Sequence, residues 1–271
     1  MISPTAPADA LLIPYVTQSE AWQLATEELR RLLALVDTLG EEDWRKPTAC
    51  TAWNVRDMLA HQAGAYASGT GYREMIHQYS AALKPGRLAE DAINERQLAD
   101  RASKAPAELI AELNRAGDAA IRNWAYGFRL VKPFGIPHPV AGWLGLRHLM
   151  LVVHSRDTWI HRLDICRATG RPFEQTREHD GRIVALVVRD LAGPLARKLG
   201  GGAIALELAG VAGGTWRLGR GAPAAAIRMD ALDFNIYASG RFSYEEAAGR
   251  AVLSGDAQLA EHALRNFAVL Y

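Results

Sequence analysis

His154-Ser155-Arg156-Asp157-Thr158-Trp159-Ile160-His161-Arg162-Leu163-Asp164 reads as successive turns of one helix. Spacings of three and four residues stack side chains on a single face. At about 100° per residue, His161 lies about 40° from Asp157, His154 about 60° and Asp164 about −20°. Two imidazoles and two carboxylates therefore share a stripe, while Trp159, Leu163 and Cys166 point elsewhere. A stripe of nitrogen and oxygen donors suits a divalent metal. Asp157 and His161 supply only two well-placed ligands, so a third has to come from another segment. The plainer alternative for this pair is an i,i+4 contact on a helix surface.

The best supplier of the third ligand is His61, in Asn54-Val55-Arg56-Asp57-Met58-Leu59-Ala60-His61-Gln62-Ala63-Gly64-Ala65-Tyr66. Asn54 is a good helix N-cap, and Asp57 falls in the first turn, where the helix dipole favours a carboxylate. Val55, Met58, Leu59, Ala63 and Tyr66 then recur at helical spacing. His61 lies on the flank of that stripe, about 60° from Met58, and should face a neighbouring helix. A half-buried core histidine is the alternative for this residue taken alone.

The segment Thr51-Ala52-Trp53-Asn54-Val55-Arg56-Asp57-Met58-Leu59-Ala60-His61 resembles the helix-opening motif of the mycothiol-dependent maleylpyruvate isomerase family, a branch of the DinB-like four-helix-bundle metalloproteins. The lead-in from Leu39 through Trp44 and Pro47 to Cys50 fits as well. Asp157-Thr158-Trp159-Ile160-His161-Arg162-Leu163-Asp164, running on to Gly170 and Pro172, resembles the family's second metal segment. There a Glu is more usual than Asp157, and the shorter side chain leaves room for a water or for His154. The resemblance extends weakly to the C-terminus. It implies an α+β chain: an N-terminal DinB-like up-down four-helix bundle, then a small α+β domain distantly like sterol carrier proteins. It further implies a metal held by His61, Asp157 and His161.

Composition fits a compact soluble enzyme. The 271 residues can bury a large core in one or two domains. Hydrophobic content is 49%, charged content 23% and formal net charge +1, so nothing draws the chain to nucleic acid or anionic lipid. Two cysteines, Cys50 and Cys166, give no disulfide framework and fit a reducing cytoplasm. No apolar run is long enough for a membrane span, and residues 1–16 lack the pattern of a signal peptide.

The texture changes near residue 200. Helices are expected over 19–38, over 54–82 with a break at Gly69 and Gly71, over 89–128 with a break or start at Pro106, and over 146–168. Residues 129–145, with Pro133, Gly135, Pro137, Pro139 and Gly142, read as a loop or short hairpin. An apolar helix over 181–199 has Pro194 as its kink or stop. Beyond Gly200-Gly201-Gly202, Ile204, Leu206 and Leu208 alternate as a strand, paired in a hairpin with Thr215–Leu218. Ala226–Met229 reads as a further strand. Asp230 opens a helix ending near Gly240, Ser243 and Glu246 have capping-box spacing, and Asp256 caps a final helix through Leu270. The expected domains are thus 1–175, a bridging helix at 176–200, and 201–271.

Three protein ligands leave a metal one open position, the mark of a catalytic site, and Zn²⁺ suits two histidines and a carboxylate. A thiol at that position is deprotonated. In the resembled family the thiol is mycothiol, and its partner is a small electrophile. Cis-trans isomerisation of the maleylpyruvate type and thiol S-transfer share that first addition. Asp164 could hold a ligand imidazole in one tautomer, or pair with Arg167 or Arg162. His154 is expected to line the pocket for thiol or substrate without binding metal. Arg241, in a Gly-Arg pair that the resemblance picks out, is the candidate clamp for a substrate carboxylate and a candidate contact for the thiol, with Arg250 its rival. A thiol-independent metal hydrolase and an apolar ligand carrier remain the alternatives from other classes.

Overall fold

The computed structural model describes residues 7–83, 88–140 and 142–271. In chain order the elements are β1 (Ala8–Asp9), α1 (Gln18–Val36), α2 (Val55–Gly69), α3 (Tyr72–Tyr79), α4 (Ala89–Ala99), α5 (Pro106–Ala125), β2 (Gly135–His138), β3 (Gly142–Gly145), α6 (Leu146–His148), α7 (His154–Thr169), α8 (Asp180–Lys198), β4 (Ala203–Ala209), β5 (Gly214–Gly219), β6 (Ala225–Asp230), α9 (Ala231–Ala238), α10 (Tyr244–Ala248), β7 (Val252–Gly255) and α11 (Ala257–Leu264). They fall into two compact units. One comprises Val16–Ile136 and Trp143–Phe173, the other the described residues of Met1–Tyr15, Pro137–Gly142 and Glu174–Tyr271.

The helical unit begins where the sequence offers caps. Thr17 and Glu20 form a capping box on α1, and Asn54 and Asp57 form another on α2. Each satisfies two backbone donors that a helix start leaves open. Pro106 occupies the first position of α5, where its missing N–H costs nothing. Helix α7 ends at Gly170, whose φ of 71° is the left-handed conformation that glycine adopts without strain. Ahead of α7, Leu149–Val153 form a widened π-helical turn, so the expected single helix over 146–168 is instead three successive pieces.

Helices α1, α2, α5 and α7 pack on one another. Leu29, Leu32, Met58, Leu59, Leu109, Leu113, Ile121 and Ile165 are all buried in the shared core. Inside it, Arg162 of α7 donates to Glu28 of α1 at 2.5 Å through Nε and at 3.4 Å through Nη2. At the outer end of α2, Arg56 donates through Nη2 to the carbonyls of Arg101, Ala102 and Lys104, at 2.6, 2.9 and 2.8 Å. That contact ties the α4–α5 connection to the first turn of α2.

The second unit carries a five-stranded sheet of order β1-β5-β4-β6-β7. Strand β4 is antiparallel to β5 and parallel to β6, with Leu206 opposite both Trp216 and Ile227. Helix α8 packs on β5, while α9 and α11 pack on β6 and β4. Asp230 caps α9 through the backbone N–H groups of Leu232 and Asp233.

Three expectations need correction. Pro194 does not stop its helix, because α8 runs on to Lys198 with the proline inside it. The last helix ends at Leu264 rather than Leu270, and the Val269 N–H donates instead to the Ala238 carbonyl at 2.9 Å. The sheet also gains two edge strands that the sequence pattern leaves unmarked. β1 pairs in parallel with β5, and β7 is antiparallel to β6.

Candidate metal centre

Helix α2 delivers His61, and α7 delivers Asp157 and His161 from adjacent turns of one face. All three side chains lie largely out of solvent, His61 being 6% and His161 4% exposed. One ligand atom from each lies within 4.8 Å of the others. Nε2 of His161 is 3.2 Å from Oδ1 of Asp157, and Nε2 of His61 is 3.3 Å from Oδ2. Two ligands of a tetrahedral zinc with bonds of about 2.0–2.1 Å stand roughly 3.3 Å apart, so these separations fit such an ion.

The opposite ring nitrogens are engaged. Nδ1 of His161 lies 3.3 Å from Oδ2 of buried Asp164, and Nδ1 of His61 lies 2.8 Å from Oε1 of Gln97 on α4. Both partners are acceptors, and so is Asp157 on the Nε2 side, so a neutral ring with its proton on Nδ1 leaves an Nε2 lone pair facing the Asp157 carboxylate. Lone pairs facing a carboxylate repel unless a cation, either a proton or a metal, sits among them. The donor set therefore fits a divalent ion, and Asp164 and Gln97 have the outer-partner geometry typical of metal-bound histidines. The structure brings Asp164 to His161 and Arg162 to Glu28.

When the rings are protonated instead, their positive charge occupies the place a metal would fill. Burial pushes the Asp157 carboxyl upward, but the charges and hydrogen bonds of His161 and His61 outweigh it and hold the group well below the ordinary carboxylate range. Gln62, fully buried beside His61, donates to Oδ2 of Asp157 at 2.7 Å and leaves its own Oε1 without a partner. His154 sits one turn before Asp157 and stacks on Trp124. Among the described residues it joins no metal-binding cluster.

The loop before α2 also contributes to the site. The Val55 N–H reaches back to the Lys46 carbonyl, Thr48 N–H to Trp53 O, and Trp53 N–H to Cys50 O. This closed turn sets the Trp53 ring 4.9 Å from His61 and 5.8 Å from His161, covering both imidazoles with indole. It also brings Cys50 into a cluster with His161 and Asp164. Trp53, Cys50, Gln62 and Gln97 all escape the spacing argument. Only Trp53 and Cys50, inside the motif and its lead-in, could have been suspected from sequence. Cys166 points away from the site and contacts the Pro172 carbonyl, and burial pushes its thiol up to about 11.

The expected arginine lies in the other unit. Arg241 is half-buried just after α9, with its N–H on the Ile236 carbonyl. Arg250 is exposed, lies over the Phe242 ring and pairs with Asp233 at 3.4 Å.

Residues 25–166, which hold all three candidate ligands, match the family profile described as the mycothiol maleylpyruvate isomerase N-terminal domain. The chain belongs to this family. Two solved structures are similar to it: the mycothiol-dependent maleylpyruvate isomerase, with a TM-score of 0.57, and a mutant of that enzyme with one histidine replaced by alanine, with a TM-score of 0.56. Each comparison covers 88% of this chain and 93% of the other at 13% identity, which speaks for a shared mixed helix-and-sheet fold. Among curated proteins no significant sequence match is found. Among the described residues, no helix of this isomerase-family member is long and apolar enough to cross a membrane.

Proposed function

We propose that the chain is a metal-dependent, mycothiol-using enzyme that isomerises a small electrophile in the manner of maleylpyruvate isomerase. The observation that carries this reading is the pair of Nε2 atoms gathered at the Asp157 carboxylate, inside the segment that matches the family. His61, Asp157 and His161 would hold the ion, with zinc the metal that suits them. A divalent ion there lowers the pKa of a thiol placed at its open position. The thiol's addition to a conjugated carbon turns a double bond into a single bond, which can rotate before elimination restores the thiol.

The chain's own residues have separate tasks. Gln97 and Asp164 orient the two imidazoles, Gln62 holds the Asp157 carboxylate, and the Trp53 indole keeps water off the rings. His154 would line the pocket for thiol or substrate. Arg241 would clamp a substrate carboxylate, with Arg250, which is exposed, as its rival. We read the helical unit as a DinB-like up-down bundle, the 201–271 segment as the small C-terminal domain, and the working compartment as the cytoplasm.

Incubation with isotopically labelled mycothiol and maleylpyruvate tests the reading. Recovery of free labelled thiol with altered double-bond geometry supports isomerisation. Label retained in the product replaces it with thiol S-transfer. Turnover unaffected by omitting thiol sinks both and leaves a metal hydrolase.

A further inference from the structure

We propose that Gln97, held in one amide orientation by Gln78, is the positioning residue that keeps the His61 proton on Nδ1 and its lone pair on Nε2. The proposal rests on the metal reading above. It concerns residues outside the ligand set, on two helices that contribute no ligand.

The orientation follows from one group that has no choice. The Gly64 carbonyl can only accept, and the Gln78 side-chain nitrogen lies 2.9 Å from it. The same nitrogen lies 2.8 Å from the Glu74 carboxylate, another acceptor, so both of its hydrogens are committed. Gln78 must then turn its oxygen to Gln97, whose nitrogen is 2.9 Å away and is the donor in that pair. The remaining end of the Gln97 amide is its oxygen, 2.8 Å from Nδ1 of His61. An amide oxygen only accepts, so the proton resides on Nδ1. Reversing either amide would set two acceptors or two donors face to face in a dry site, since Gln78 is 0% and Gln97 3% exposed.

Packing keeps the relay in place. Gly64 is one turn beyond His61 on α2, and a Cβ there would lie 2.7 Å from both Cβ and Cγ of Gln97. The bare glycine lets α4 come close enough for Gln97 to reach the histidine. Gln78 reaches the site by two routes, through Gln97 and through the Gly64 carbonyl of α2, and the His61 tautomer separates them.

The test uses the full chain, stripped with chelator and titrated with Zn²⁺ against a competing indicator. Gln97→Leu should weaken zinc binding about 10–100-fold, the usual loss on removing a partner of a metal-bound histidine. Gln78→Leu should weaken binding as well, because the Gln97 amide is then free to reverse. The ¹⁵N shifts of the His61 ring in metal-free Asp157→Ala protein, which lacks the competing acceptor on Nε2, should show Nδ1–H with both glutamines intact and a mixture of tautomers when either is leucine. Unchanged zinc affinity and unchanged tautomer in Gln97→Leu overturn the proposal. If the parent binds no divalent ion, the metal reading fails by itself, and the tautomer measurement still decides the role of Gln97.

Discussion

Trp124 lies flat on His154, with ring centroids 4.2 Å apart and planes 11° from parallel. The stack buries one face of an imidazole that stands one turn from the candidate ligands. Burial pushes its pKa down to about 4 from the ordinary 6.5, with Asp157 opposing the fall and His61 adding to it. Between those values the unfolded chain binds a proton that the folded protein refuses. The stabilising contribution is therefore complete above 6.5 and is lost as the pH falls through 6.5 toward 4. In chelator-treated protein, His154→Phe should keep the stack and flatten the decline of the urea midpoint over this range. Equal slopes would show that His154 is not held neutral. The same variant should bind zinc with full stoichiometry, because His154 is not a ligand in the proposed site.

Removing His61 should remove the metal without removing the fold. His61→Ala should lower bound zinc from about one per chain to near zero in elemental analysis, while far-ultraviolet circular dichroism keeps its helical signal. Asp157→Ala should act in the same way and abolish thiol-dependent turnover. Full occupancy in either variant excludes that residue from the site.

The two cysteines should behave differently toward a thiol-modifying reagent. Cys166 is buried with its pKa raised to about 11, so it should react slowly. Cys50 is partly exposed and clusters with His161 and Asp164, so mass mapping should find it modified first. The Cys50→Ser, Cys166→Ser double variant should still turn over substrate, because the nucleophile proposed here is an external thiol.

The Glu28–Arg162 pair should be costly to break from one side. Glu28 is 0% and Arg162 4% exposed, so Glu28→Ala takes a carboxylate away from a buried guanidinium. A loss of about 3–5 kcal/mol in denaturant stability is expected. A loss below about 1 kcal/mol would mean that solvent reaches the pair.

Local spacing put Asp157 and His161 on one face and His61 on the flank of an apolar stripe, and the family resemblance joined the three as a candidate ligand set. An i,i+4 pair and a histidine on the flank of an apolar stripe are properties of single helices, and two of the helices announce their starts with Asn54 and Pro106. Gln78 and Gln97 gave no such signal. They lie on α3 and α4, polar short helices whose composition reads as a solvated face, and their roles exist only once α4 has packed on Gly64. The extra reach given to the last helix has a similar cause. Phe267 and Val269 are apolar and buried, which spacing alone counts as helix, but backbone pairing with Ala238 takes that segment elsewhere. Strand β7 is short and mostly exposed, so no alternation marks it.

The three carbonyls gathered by Arg56 bear on how the site breathes. A short helix such as α4 would ordinarily fray from its C-terminal end, and Gln97 would leave His61 with it. Here that end is anchored by charge-assisted bonds to the first turn of α2, five residues before the histidine. Local opening of α4 then requires opening the start of α2 as well, so the two segments belong to one cooperative unit. Amide hydrogens of residues 95–104 and 58–62 should exchange at a common, slow rate, and an Arg56→Met substitution should speed the first group more than the second.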